Sequence, residues 1–126
     1  MRSEFLLLMV FVIIITCSEV QAQSEIVRYY HVELQPNTHM PAYEKSQLDS
    51  IQLAHLANIK HMAESGRLMV AGPFKDGGGL FILNVASFAE AEQLCNQDPA
   101  VMAGKFTYRI KEWYTEKGLF TLENKN

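Results

Sequence analysis

RLMVAGPFKDGGGLFILNV, residues 67–85, is two apolar runs joined by a glycine-rich turn. Arg67–Phe74 is nearly continuous in apolar residues and stops at Pro73, which reads as a central strand that ends there. Lys75–Gly79 (KDGGG) is a turn, and Leu80–Val85 returns as the hairpin partner. The three glycines carry no Walker or dinucleotide pattern around them, so a flexible turn is preferred to a phosphate-cradling loop.

The chain on either side of this hairpin is helical. Residues 46–65, wound at about 100° per residue, place Leu48, Ile51, Leu56, Ile59, Met62 and Ala63 on one apolar stripe, with Lys60, His61 and Glu64 opposite. Ser46 and Asp49 resemble a capping box at its start, and Gly66 stands where a helix commonly terminates. After the hairpin, Ser87 is placed to cap Phe88–Asn96, whose inner side carries Phe88, Ala91, Leu94 and Cys95. Asp98-Pro99 ends or reorients that helix. Outside the helices lie two more strands. Ile26–Leu34 (IVRYYHVEL) is rich in β-branched and aromatic residues, and Lys105–Tyr114 alternates Phe106, Tyr108 and Ile110 with Thr107, Arg109 and Lys111. Gln35–Lys45, with Pro36, Asn37 and Pro41, is a loop. The order is βαββαβ: an α+β, ferredoxin-like fold with a four-stranded antiparallel sheet and both helices on one face. The uncovered sheet face, taken with an apolar second strand, implies pairing with a second copy as a homodimer.

The first 22 residues read as a secretory signal peptide and residues 23–126 as one domain. Arg2 begins a short basic region, Phe5–Ile15 is an unbroken apolar run, and Val20-Gln21-Ala22 offers a small-residue cleavage pattern. The run is shorter than the roughly 20 apolar residues of a membrane span, so no stable span remains after cleavage. Ile14-Ile15-Thr16-Cys17 also allows a lipid-attachment reading at Cys17, which ranks second because Thr16 is large for that position. The expected destination is therefore periplasmic or extracellular. Cleavage removes Arg2, Glu4 and Glu19 and takes the formal charge from −3 to −2. That mild acidity gives no footprint for nucleic acid. Cys17 leaves with the signal, so Cys95 has no partner for an intrachain disulfide and reads as a small core residue.

His55 sits near the centre of the apolar stripe of the first helix. A buried ring there needs a hydrogen-bond partner, because an unsatisfied polar group costs about 1–3 kcal/mol. His31 shares a strand face with Tyr29 and Glu33, and Arg109 from the last strand projects toward the same side; a cross-sheet or ligand-orienting role fits both. His39 lies in a loop and His61 on the solvent side. The histidines and Cys95 lack metal-ligand spacing, so no metal site is expected.

Three pieces of the chain together resemble the YciI-like (YCII-related) domain family: His55-Leu56 late in the first helix, Gly66 followed by Ala71-Gly72-Pro73-Phe74, and Asp98-Pro99-Ala100-Val101-Met102-Ala103-Gly104. The resemblance covers roughly residues 26–114. Ala100 departs from the aromatic residue usual after Asp-Pro, which implies a more open pocket wall. The resemblance implies a dimeric α/β barrel formed by two ferredoxin-like sheets, and a His–Asp pair that maps onto His55 and Asp98. Most members have no assigned substrate; relatives in the wider superfamily carry out proton transfers, eliminations and oxygenations on small cyclic compounds, often with no cofactor.

A carboxylate on one imidazole nitrogen fixes the tautomer and leaves the other nitrogen as base or acid. In this reading His55 is the catalytic base, Asp98 orients it, and Gly72 with Pro73 forms part of a substrate-binding wall, with His31 and Arg109 as further ligand contacts. The plainer alternative makes His55–Asp98 a satisfied structural pair, or Asp98 a turn residue before Pro99. The function expected is a small exported enzyme, cofactor-independent, doing lyase- or isomerase-type acid–base chemistry on a small cyclic or carbonyl compound. The alternative is a non-catalytic dimeric module that binds a small molecule, and an oxygenase-like relative stands well behind both.

Overall fold

The computed structural model describes residues 23–119. The expected signal segment 1–22, with Cys17, and residues 120–126 lie outside the described residues. The elements run β1 (Ile26–Pro36), α1 (Lys45–Glu64), β2 (Leu68–Pro73), β3 (Gly79–Leu83), α2 (Phe88–Asn96), α3 (Pro99–Met102) and β4 (Phe106–Glu116). The four strands form one antiparallel sheet in the order β2-β3-β1-β4, so the α+β, ferredoxin-like arrangement stands. The β2–β3 hairpin folds back beside β1, so β2 occupies an edge. This corrects the expectation of a central second strand. Its apolar run is only partly covered: Leu68 is buried, while Ala71, Gly72 and Pro73 are exposed. An edge position also accommodates Pro73, which lacks a ladder donor.

The helices cover one sheet face. Tyr30, Val32 and Leu34 of β1 and Phe81 and Leu83 of β3 point into that layer with Met62, Leu68, Ala91, Leu94 and Cys95. Register places the alternate residues on the opposite face: Tyr29 beside Trp113, His31 beside Lys111 and Ile82, and Glu33 beside Arg109 and Leu80.

Two local readings change. The first helix begins one residue earlier than expected, after Glu44, and the residue that closes its first turn is Gln47, whose Oε1 accepts from the Glu44 N–H at 2.9 Å. Ser46 and Asp49 do not form the box; Asp49 instead meets Lys45 one turn back, at 2.6 Å. The buried seam is also narrower than the apolar stripe. His55 and Met62 are buried, whereas Leu56 and Ala63 are exposed. Phe88, expected on the inner side of its helix, is likewise half exposed, although its ring meets that of Tyr30 edge-on. Ser87 does cap α2, its hydroxyl accepting from the Glu90 N–H at 3.1 Å.

Gly78 closes the hairpin against β1. Its φ is +74°, and a Cβ there would lie 2.0 Å from the Leu34 carbonyl oxygen. Only glycine fits both constraints. The turn thereby lies tight on the end of β1 and forms one end of a cavity.

Candidate functional site

Asp98 is wholly buried and N-caps α3. Its Oδ1 accepts from the Ala100 N–H at 2.9 Å and the Val101 N–H at 3.3 Å. Asp98-Pro99 therefore does start a turn, as its local chemistry demands. The same carboxylate also reaches α1. His55 Nδ1 lies 2.9 Å from both oxygens, and Asn58 Nδ2 donates to Oδ2 at 3.0 Å. The local and long-range roles coexist because a carboxylate has about four lone-pair sites.

Burial pushes the Asp98 carboxyl upward. The hydrogen bond and charge of His55, the Asn58 amide and the Ala100 N–H overcome that effect and hold it below its ordinary value. The anion offers His55 only acceptors, so Nδ1 carries the proton. In the neutral ring Nε2 is then the lone-pair nitrogen, and it is the polar atom His55 can present to the cavity it lines. The ring is held between two aromatic neighbours: Phe81 stacks at 6.0 Å between centroids and Phe106 sits tilted at 5.8 Å.

That cavity has a volume of about 340 Å³, within the range of small-molecule sites. Its walls are Gln52, His55, Leu56 and Ile59 of α1, Ala71, Gly72 and Pro73 of β2, and Gly78, Gly79 and Phe81 of the hairpin, closed by Leu34 and Phe106. Leu56 is half exposed because it overhangs this space instead of packing into the core. Among the described residues, Gln52 and His55 are the polar side chains of the lining.

The structure therefore places His55, Gly72 and Pro73 at the cavity, with Asp98 directly behind the histidine. It does not bring His31 or Arg109 there. Both lie on the opposite sheet face, where His31 Nδ1 is buried with no hydrogen-bond partner among the described residues. Ala100 is wholly buried and stands outside the lining, so the expected opening of the wall at that position is absent. Cys95 is buried in the core, and burial pushes its thiol up to about 12. Among the described residues, no group of three His, Cys, Asp or Glu side chains is placed to hold a metal ion, and no helix is long and apolar enough to cross a membrane.

Three residues at the site were not singled out from the sequence: Asn58, Gln52 and Lys105. The first two are legible in retrospect. They stand three residues after and three before His55, so they are polar positions on its own helical face. Lys105, whose Nζ donates to Gln52 Oε1 at 2.7 Å, is brought in from 53 residues away and has no local signal.

The family model of the YCII-related domain matches residues 9–114. An uncharacterized protein, YjpA of Bacillus subtilis (strain 168), is 33% identical over 64 residues, which is 50% of this chain and 75% of that protein. Among solved structures, the chain resembles 5-chloro-2-hydroxyhydroquinone dehydrochlorinase (TftG) from Burkholderia phenoliruptrix AC1100, determined in complex with 2,5-dihydroxybenzoquinone. The TM-score is 0.53 at 20% identity, over 68% of this chain and 92% of that one. At that identity the likeness concerns the fold.

Proposed function

The chain belongs to the YCII-related domain family, and on that premise we propose that it is a small acid–base enzyme whose general base is His55. The carrying observation is the buried Asp98 carboxylate at 2.9 Å from His55 Nδ1, which leaves Nε2 for an otherwise largely apolar cavity. A base whose tautomer is set by a buried anion, in a largely apolar cavity, is suited to taking a proton from a small cyclic or carbonyl compound and returning it elsewhere. Isomerisation and elimination both follow from that step, and neither needs a cofactor. The dehydrochlorinase of similar fold, bound to a dihydroxylated quinone, supports hydroxylated ring compounds as the first class to test.

The assay follows proton exchange, which reports on the first chemical step whatever the product. The full chain is incubated in D₂O with 2,5-dihydroxybenzoquinone and a panel of enolisable cyclic ketones, and deuterium entry at carbon is read by NMR. Wild type is expected to accelerate exchange for at least one compound, and His55→Gln to lose it by about 10²–10⁴-fold while keeping its fold. Exchange undiminished in His55→Gln would refute the assignment. Binding without exchange by wild type would make the chain a non-catalytic small-molecule module.

Two features of the working protein belong to the same proposal. Arg2, the Phe5–Ile15 run and Val20-Gln21-Ala22 support export with cleavage after Ala22; an exported chain with residues 1–22 intact would refute that cleavage. The sheet face away from the helices, where Val70, Leu80, Tyr29 and Trp113 are only half-buried, supports pairing with a second copy as a homodimer. His31 and Arg109 would then face the partner's sheet.

A further inference from the structure

Gln52 and His55 stand one helical turn apart on α1 and line the same cavity. Each is held by a charged group from the single segment that joins α2 to β4. Asp98, at the start of α3, holds His55. Lys105, just after the Gly104 turn, holds Gln52 through Nζ to Oε1 at 2.7 Å. The Lys105 backbone is itself tied on both sides, its N–H to the Ala100 carbonyl at 2.9 Å and its carbonyl to the Asn37 N–H at 3.0 Å. Its ammonium also lies 5.3 Å from the centre of the Phe106 ring, another cavity wall.

The chemistry of this contact fixes which way the amide points. An ammonium has only donors, so it can pair only with the amide oxygen. The Gln52 NH₂ is then the opposite end, and among the described residues no hydrogen bond engages it. A donor whose oxygen is pulled on by a cation is a stronger donor.

The geometry points to Gln52 as a second substrate-binding group, its NH₂ receiving the oxygen on which negative charge collects when His55 takes a proton, with Lys105 as the positioning residue behind it. This rests on the reading of the cavity as a proton-transfer site. It narrows the substrate to a planar compound whose enol, enolate or phenolate oxygen lies roughly one helical turn, about 5–6 Å at the level of Cβ atoms, from the proton that leaves. In the step itself the Nε2 lone pair takes a proton from carbon. The C–H electron pair moves into the conjugated system and its charge resides on that oxygen. The imidazolium remains beside the Asp98 anion. No electrons are lost, so no oxidant is required.

The alternative is that Lys105–Gln52 merely ties α1 to the start of β4. The two are separated with 4-nitrophenol, a planar hydroxylated ring whose phenolate absorbs visibly and so reports its own ionisation. Its binding to the full chain is titrated against pH. Wild type is expected to prefer the phenolate about tenfold, which lowers the apparent pKa of the bound probe by about one unit. Gln52→Glu keeps the contact with Lys105 as an ion pair and preserves side-chain shape, yet replaces the donor with an anion; it is expected to reverse the shift at unchanged thermal midpoint. Lys105→Met lets the amide turn and should shrink the shift. Failure of wild type to bind the probe, or an equal bound pKa in wild type and Gln52→Glu, would overturn the assignment. Deuterium exchange retained in His55→Gln would remove the proton-transfer reading alone, because 4-nitrophenol gives up no proton from carbon and Gln52→Glu is compared with wild type at constant His55.

Discussion

Replacing Asp98 with Asn tests the site where local and long-range roles meet. The substitution keeps the shape and removes the charge. The Ala100 and Val101 N–H groups are fixed by the backbone, so the new amide must keep its oxygen on them. Its NH₂ then occupies the Oδ2 position, facing the Asn58 amide and the His55 ring. In wild type the carboxylate favours the Nδ1–H tautomer by at least one charge-assisted hydrogen bond, worth about 1.5–3 kcal/mol, or roughly 10–100-fold in population. With Asn the ring finds a partner either way: Nδ1–H can donate to the amide oxygen, or a bare Nδ1 can accept from the amide NH₂. The discrimination collapses, and the Nε2–H form, useless as a base toward the cavity, becomes well populated. The charge-assisted bonds from His55, Ala100 and Val101 become neutral, and the Asn58 NH₂, which donated to Oδ2, meets a second donor unless its amide turns over. The cost is about 2 kcal/mol or more in stability, given that charged bonds are roughly twice as strong. That corresponds to a thermal midpoint lower by roughly 10 °C.

The assay is two-bond ¹H–¹⁵N correlation NMR on ¹⁵N-histidine protein at a pH where the ring is neutral, with the His55 signals identified by their loss in His55→Gln. Wild type should show one Nδ1–H species and Asp98→Asn a mixture. A single Nδ1–H species in the variant would refute the reasoning, because the carboxylate would then not be what sets the tautomer. Acid unfolding gives a second check. The Asp98 carboxyl is lowered in the folded chain, so its contribution to stability is complete above the unfolded-state value, about 3.9, and drains away as pH falls through the folded value. That portion of the acid limb should vanish in Asp98→Asn.

Gly78→Ala places a methyl 2.0 Å from the Leu34 carbonyl oxygen at φ +74° and should cost about 2 kcal/mol or more in urea unfolding. Gly72→Ala has open space and no positive φ and should change stability by less than about 0.5 kcal/mol; equal costs would contradict the hairpin geometry. Cys95, buried with its thiol pushed up to about 12, should resist Ellman's reagent at pH 8 until the chain is unfolded; rapid reaction of the native protein would place it at the surface. Sedimentation equilibrium should give the mass of two copies, and a monomer at all concentrations would remove the open-face pairing.

The elements of the fold follow from short-range physics, and so they are legible without coordinates. Periods of two and of 3.6 residues, the Gly-rich turn at residues 75–79 and the Ser87 cap act within a few residues of chain, and together they imply βαββαβ. The place of His55 on the inner side of α1, against His61 on the outer, follows from the same winding. What local pattern could not supply is which apolar residues the sheet leaves uncovered. Strand order put β2 at an edge and left Leu56 over a cavity instead of in a core.

The site divides in the same way. His55, Gly72, Pro73 and Asp98 carry marks in the sequence, some through resemblance to a family and some through the rarity of a histidine on an apolar stripe. Asp98 lies 43 residues from His55, and Lys105 lies 53 from Gln52. Hydrogen bonds between such pairs depend on how α1 lies against residues 98–105, and only the closed tertiary structure decides that. The same packing separates His31 and Arg109 from the cavity: alternation along a strand sends neighbours to opposite faces of the sheet, and the helices cover one of them. The sequence by itself thus determined the strand and helix order and the residue most in need of a partner. Tertiary structure decided which partner it has, because a buried charge is satisfied by whatever the fold brings within about 3 Å of it.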